Sequence, residues 1–135
     1  MDKKIISTAA VLGMIAIILG AFGAHGLKKV LNIEQLTTFE TGVKYQMYHA
    51  LFLLFIGTTT LINQKLKKTI LNLTITGVLF FSGSIYLLAT NSLTTIDFKV
   101  IGFITPIGGI FLIFAWFLLF FDLIKPIKKE KINIM

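Results

Sequence analysis

The chain has no cysteine and no arginine, and only 14% of its 135 residues are charged. Without cysteine there can be no disulfide, no thiolate metal ligand and no cysteine nucleophile. Without arginine there is no planar fork for bidentate recognition of phosphate or carboxylate, and all thirteen basic residues are lysines, which act as point charges. An average soluble domain carries about 25% charged residues, so the shortage itself argues against one. What is present is apolar: 56% hydrophobic residues and a mean hydropathy of +0.88. One small integral membrane domain is the reading that fits. The formal charge of +7 sits in short clusters between apolar runs, a placement that sets topology; nucleic acid is not an expected partner, because that needs a continuous basic surface.

Residues 5–24 carry no charge, and twenty residues at ~1.5 Å each cross a hydrocarbon core of about 30 Å. A signal peptide is the rival, since Lys3 and Lys4 precede the run and Ala21-Phe-Gly23 loosely imitates a cleavage site; a retained first span is expected. Further uncharged stretches predict spans at about 45–62, 70–90 and 100–121, followed by a basic tail at 122–135. Before the second span, Asn32 and Gln35 form a potential capping box. Leu36, Phe39, Val43 and Met47 then mark one helical face, which predicts a short amphipathic segment at the interface. Gly26 is placed to stop the first helix in a left-handed conformation.

Four spans put the two termini and the loop at Lys65 on one side. That side holds nine lysines and the other, with Lys28, Lys29, Lys44 and Lys99, holds four. The positive-inside rule therefore places both termini in the cytoplasm. The fold class is all-α: an up-down-up-down four-helix bundle in the membrane.

Cutting each span at its midpoint, near Ile15, Leu54, Phe80 and Phe111, leaves the unusual residues in one half. His25, Tyr45, Gln46, Tyr48, His49, Ser82, Ser84, Tyr86 and Thr105 are polar; Gly20, Gly23, Gly83, Gly108 and Gly109, with Pro106, are small or helix-bending. A shared depth suggests a shared pocket, because an unpaired polar group in hydrocarbon costs several kcal/mol. Hydroxyls bonded to nearby carbonyls and an interfacial tyrosine belt explain the same residues without a pocket. Ala9, Gly13, Ala16, Gly20 and Gly23 or Ala24 form a stripe at which a second helix can approach closely; self-dimerisation through it stays open.

His49, within a charge-free helix, is the sharpest functional candidate, although a neutral imidazole bonded to Tyr or Ser serves equally well. Glu40 and Lys44 are spaced for a solvated i, i+4 pair, and Glu40, Tyr45 and His49 for a proton relay. His25 sits where helix-end residues cap. His25 and His49 together could ligate a haem from two sides, but zinc lacks a full ligand set, and no metal or cofactor is called for. Trp116 and the Phe-rich run around it read as lipid-facing packing. No nucleophile with a neighbouring base is visible.

Four motifs, Gly20-Ala-Phe-Gly-Ala-His-Gly-Leu27, Thr41-Gly-Val-Lys-Tyr-Gln-Met-Tyr-His-Ala-Leu51, Phe81-Ser-Gly-Ser-Ile-Tyr-Leu-Leu88 and Ile104-Thr-Pro-Ile-Gly-Gly109, resemble in that order the small bacterial membrane proteins of domain of unknown function 423, the YgdD/YwdK type. The resemblance implies a four-span protein of the bacterial inner or plasma membrane and brings no catalytic residue or ligand with it. Three functions are then to be weighed. One is a non-enzymatic accessory or structural component, able to hold a lipid or small ligand in its polar half. Another is a small transporter or proton-coupled carrier using His25, Glu40 and His49; the third is a bis-histidine cofactor protein. The bilayer is the expected partner, with self-association or another membrane protein left open.

Overall fold

The computed structural model describes residues 1–126, so the expected basic tail lies outside the described residues from position 127 onward. Within them all regular structure is helical. α1 is Asp2–His25 and α2 is Ile33–Thr58. A third rod runs without a break through α3 (Gln64–Val78), a wider π-helical turn (Leu79–Gly83) and α4 (Ser84–Ala89). α5 is Ile104–Ile124. Three stretches are long and apolar enough to cross a membrane: Asp2–Lys29, Gln64–Ala89 and Lys99–Ile124.

Local chemistry sets the ends. The Asn32 side chain accepts from the Gln35 amide at 2.7 Å and the Gln35 side chain accepts from the Asn32 amide at 3.0 Å, the expected capping box. It starts one 26-residue helix, so the segment expected at the interface and the expected second span are continuous, and the helix stops at Thr58. Asn63 caps α3 through the Leu66 amide at 2.8 Å. The expected left-handed stop at Gly26 is absent: its φ of −76° and ψ of −52° are right-handed, and α1 tightens into the turn Leu27–Lys29 instead.

α1 lies along α2, which also touches all three parts of the third rod; α3 and the π turn pack on α5. The small-residue stripe of α1 carries its contact with α2. A methyl at Gly13 would stand 3.7 Å from Ala50 Cβ, one at Gly20 would stand 3.5 Å from Val43, and one at Gly23 would stand 3.2 Å from Phe39. The face read as interfacial is thus the face that meets α1. Ile5, Ala9, Phe52, Leu53, Ile56, Ile70, Leu71 and Ala115 make the main buried core; Leu27, Leu31, Phe39 and Ala89 make a smaller one at the opposite end. Large apolar side chains cover the outsides of α1, at Val11, Ile17, Ile18 and Phe22, and of α5, at Ile110, Ile113, Phe117 and Phe120.

Lys67 clips the first end. Its side chain, expected in a solvated loop, is 2% exposed, and its ammonium donates to the Thr59 carbonyl at 2.7 Å and to Asp2 Oδ1 at 3.1 Å. Gln64 donates to the same Asp2 oxygen at 3.0 Å. The start of α1, the end of α2 and the start of α3 are joined at one charge.

Candidate functional site

The register between helices decides which polar groups can meet. Gly13 faces Ala50 and Gly20 faces Val43 on α2, so His49 lies at the level of the middle of α1. Its placement in the same half as Ser84 and Thr105 is corrected accordingly, because α2 starts and stops earlier than the charge-free window suggests. Gly42 meets Ile85 and Tyr86, and Gly108 meets Phe80 and Phe81. The polar residues therefore occupy two tiers, since seven residues from Gly42 to His49 advance about 10 Å along a helix.

The upper tier is built on the π turn. Ser82, 1% exposed, donates to the Gly42 carbonyl at 2.7 Å. Ser84 donates to the carbonyls of Phe80 and Phe81 within its own rod and shares a short hydrogen bond with Thr105 at the start of α5. Gly108 explains why the backbone widens here: a methyl on it would lie 2.4 Å from the Phe81 nitrogen and 2.7 Å from the Phe80 carbonyl carbon. Helix backbones this close need a residue without Cβ, and single π turns are a recurrent way to re-aim side chains.

The central tier is carried by Gln46 and His49. Gln46 donates to the Leu12 carbonyl at 2.9 Å and accepts from the Tyr86 hydroxyl at 2.7 Å. One amide thus joins α1, α2 and α4. The Tyr45 carbonyl can only accept, so His49 Nδ1 carries the proton of the 2.7 Å bond between them. His49 Nε2 then accepts from the indole N–H of Trp116 at 3.1 Å. Both ring nitrogens are used, in one neutral tautomer.

Beside this pair a groove of about 330 Å³ opens to the outside of the bundle between α2, the π turn and α5. Tyr45, Phe81 and Trp116 wall it, His49 lies at its side, and Gly109, Leu112 and Ile113 line the α5 flank. Tyr45 rests on Phe81 with ring centres 4.9 Å apart, and Trp116 rests on Phe52 at 4.2 Å.

The other candidates are not brought together. His25 and Glu40 are exposed, and Tyr48 is 52% exposed. Glu40 and Lys44 do not pair; among the described residues the one ion pair is Asp2 with Lys67. The relay from Glu40 through Tyr45 to His49 does not form among the described residues: Tyr45 meets His49 through its backbone carbonyl, and its hydroxyl bonds neither Glu40 nor His49. His25 lies near Gly23, which packs on Phe39, and ten residues of α2 separate that level from His49, about 15 Å; the two histidines cannot flank one haem iron. Of the expected packing residues, Gly13, Gly20, Gly23, Gly108 and Gly109 lie at helix contacts, whereas Gly83 has nothing within 4 Å of where a Cβ would go. Pro106 is exposed in the first turn of α5, where its missing amide costs nothing.

Four further residues hold packing or site positions. Gly42, Gly57 and Gly77 sit as tightly as Gly108, each with a side-chain atom 2.6 to 2.7 Å from a would-be methyl. Trp116, expected as lipid-facing packing, is 47% exposed and in addition donates to His49. An indole within reach of a helix of different register leaves no local sequence signal, but a lone tryptophan in a phenylalanine run could have prompted a search for an acceptor.

Long apolar helices, apolar outer faces and polar groups bonded inward define a multi-pass membrane protein. More particularly, the chain belongs to the family described as Protein of unknown function (DUF423), whose model matches residues 19–109. It is 43% identical over 126 residues to a UPF0382 membrane protein of Staphylococcus haemolyticus, covering 91% of this chain and 97% of that one. A UPF0382 membrane protein of Haemophilus influenzae is 35% identical over 116 residues, covering 86% and 90%. The UPF0382 membrane protein YwdK of Bacillus subtilis is 34% identical over 128 residues, covering 91% and 98%. No solved structure matches the chain.

Proposed function

We propose that the protein is a non-enzymatic accessory component of the membrane, crossing it four times with both termini in the cytoplasm, and that its aromatic groove seats a lipid hydrocarbon chain. α2 is too polar to count as a span by composition, but Gln46 and His49 are 4% exposed and bonded to neighbouring helices, so it can cross with its polar groups facing protein. The observation that carries the functional reading is that the buried polar groups of both tiers satisfy one another. Gln46, His49, Ser82, Ser84, Thr105 and Tyr86 all have protein partners, which fixes helix packing and leaves none of these six free to act as an acid, base or nucleophile. The transport reading loses support for the same reason: Glu40 and His25 lie on the surface, and the core below His49 is built from Phe52, Leu53, Ile56 and Ile70.

The groove is open on its outer side and apolar along most of its wall, and in a bilayer the molecules that reach it are acyl chains. Photo-crosslinking of the protein in nanodiscs with a diazirine-bearing phospholipid should label Trp116, Ile113 or Tyr45. Gly109→Leu would fill the groove, since Gly109 meets only Phe81, at 3.7 Å, and should remove that labelling while the fold is kept. Labelling spread evenly along α1 and α5, unchanged in the variant, would refute a seated chain. Should His49→Ala keep the fold but abolish a transmembrane flux or an enzymatic turnover, the accessory reading itself would fall.

A further inference from the structure

We infer that a second cleft, at the Lys67 end of the bundle, binds the headgroup of an anionic phospholipid. It lies between the start of α3 and the end of α5, has a volume of about 240 Å³, and is lined by Asn63, Lys65, Leu66 and Thr69 on one side and Leu118, Phe121, Asp122 and Lys125 on the other. It shares no residue with the groove beside His49.

Its chemistry is divided. Leu66, Leu118 and Phe121 make an apolar floor, while Lys65 and Lys125 stand at the rim. The Lys125 ammonium lies 4.9 Å from the centre of the Phe121 ring, close enough for a cation–π contact that holds it over the floor. Neither lysine is in an ion pair among the described residues. The Asn63 side-chain oxygen is taken by the Leu66 amide and the Thr69 hydroxyl donates to the Lys65 carbonyl, which leaves the Asn63 side-chain N–H groups as donors. Asp122 is the one carboxylate of the lining, so the cleft carries a net positive charge. Beyond Pro126 the sequence continues with Lys128, Lys129, Glu130 and Lys131.

A free phosphate would be poorly held by exposed lysines without an arginine fork, and it would make no use of the floor. A phospholipid uses both parts: its phosphate meets Lys65 and Lys125, and the upper part of an acyl chain lies over Phe121 and Leu118. Basic pockets between membrane helices at the cytoplasmic face are suited to such headgroups. The inference rests on the reading above only in that this end lies at the inner leaflet.

The test uses the full chain purified in a nonionic detergent. Phosphatidylglycerol should stay bound in native mass spectrometry and raise the melting temperature, whereas phosphatidylcholine with the same chains, and inorganic phosphate, should do neither. K65Q/K125Q should weaken phosphatidylglycerol binding about tenfold or more, in line with the contribution of a lysine near an anionic surface. K3Q/K4Q removes equal charge from the same end outside the cleft and should change binding less than twofold. Leu118→Gln, which spoils the floor and keeps the charge, should also weaken it. Equal losses in the two lysine pairs would mean diffuse attraction and overturn the proposal, as would equal binding of the two lipids. Because the measurement is made in detergent, an error in membrane sidedness leaves it untouched and shows up only in accessibility labelling.

Discussion

The contact most open to quantitative attack is the bridge from Tyr86 through Gln46 to the Leu12 carbonyl. Tyr86→Phe removes one hydroxyl and leaves the Gln46 carbonyl oxygen without its partner at 2.7 Å. Gln46→Leu removes that bond and also the 2.9 Å bond to Leu12, though the Leu12 carbonyl keeps its bond within α1. Side-chain hydrogen bonds in membrane proteins contribute about 0.6 kcal/mol on average and at most about 1.7, since the unfolded chain in the bilayer also finds partners. Tyr86→Phe should therefore cost about 0.6 to 1.7 kcal/mol, and Gln46→Leu, with two bonds lost, about 1 to 3. In the double variant the shared bond is lost only once, so the coupling energy should fall at about 0.6 to 1.7 kcal/mol. Reversible unfolding in mixed micelles with increasing dodecyl sulfate, followed by circular dichroism, gives the three values. If the two substitutions prove additive within error while both variants fold, the bridge does not join α2 to α4 and the two-tier site is wrong.

Lys67→Met keeps the stem volume and removes the charge-assisted bonds to Thr59 and Asp2; it should cost about 1.5 to 3 kcal/mol in the same unfolding assay, and Lys68→Met, on an exposed neighbour, close to nothing. Gly108→Ala pushes α5 off the Phe81 backbone and should destabilise by about 1 to 3 kcal/mol, whereas Gly83→Ala meets open space and should be neutral or stabilising by up to about 1 kcal/mol. Trp116→Phe keeps the ring against Phe52 but deletes the donor to His49, and should change the histidine's ring nitrogen chemical shifts in NMR; an unchanged spectrum would deny the bond. Since the chain has no native cysteine, single cysteines report topology directly: Thr95→Cys should react with an impermeant maleimide on intact cells and Thr60→Cys only after the membrane is opened, and the reverse pattern would invert the orientation.

Features set by neighbours in the chain could be read from the sequence, and features set by partners far along it could not. The Asn32–Gln35 box and the small-residue face of α1 depend on spacings of three and four residues, and both appear in the structure. The length of α2 was missed because Glu40 and Lys44 looked like the edge of a span, although both side chains are exposed on a helix that continues past them. Lys67 sits in a run of lysines that reads as a solvated loop; its burial depends on Asp2, 65 positions away. The partner of His49 was missed for the same reason, Trp116 being 67 positions away. Glycine spacing alone was also misleading. Gly83 belongs to a motif yet an added methyl there would meet nothing within 4 Å, while Gly42, Gly57 and Gly77 stand at approaches nearly as close as that of Gly108.

These differences share one cause, the central position of α2. α1 packs on one side of it and the third rod on another, and Trp116 of α5 reaches its histidine, so α2 has less lipid-facing surface to cover with Ile, Leu and Phe than a flanking helix has. α1 and α5 are bounded by protein on one flank only, and their outer faces are apolar almost without interruption. A central helix is free to carry amide, imidazole and carbonyl chemistry as long as each group finds a partner, and the pairing of Gln46 and His49 shows how that condition is met. The polarity that makes α2 the least convincing span by composition is therefore what binds the other helices to it. The groove beside His49 opens where this central helix is left uncovered between the π turn and α5, next to a side chain whose two ring nitrogens both have partners.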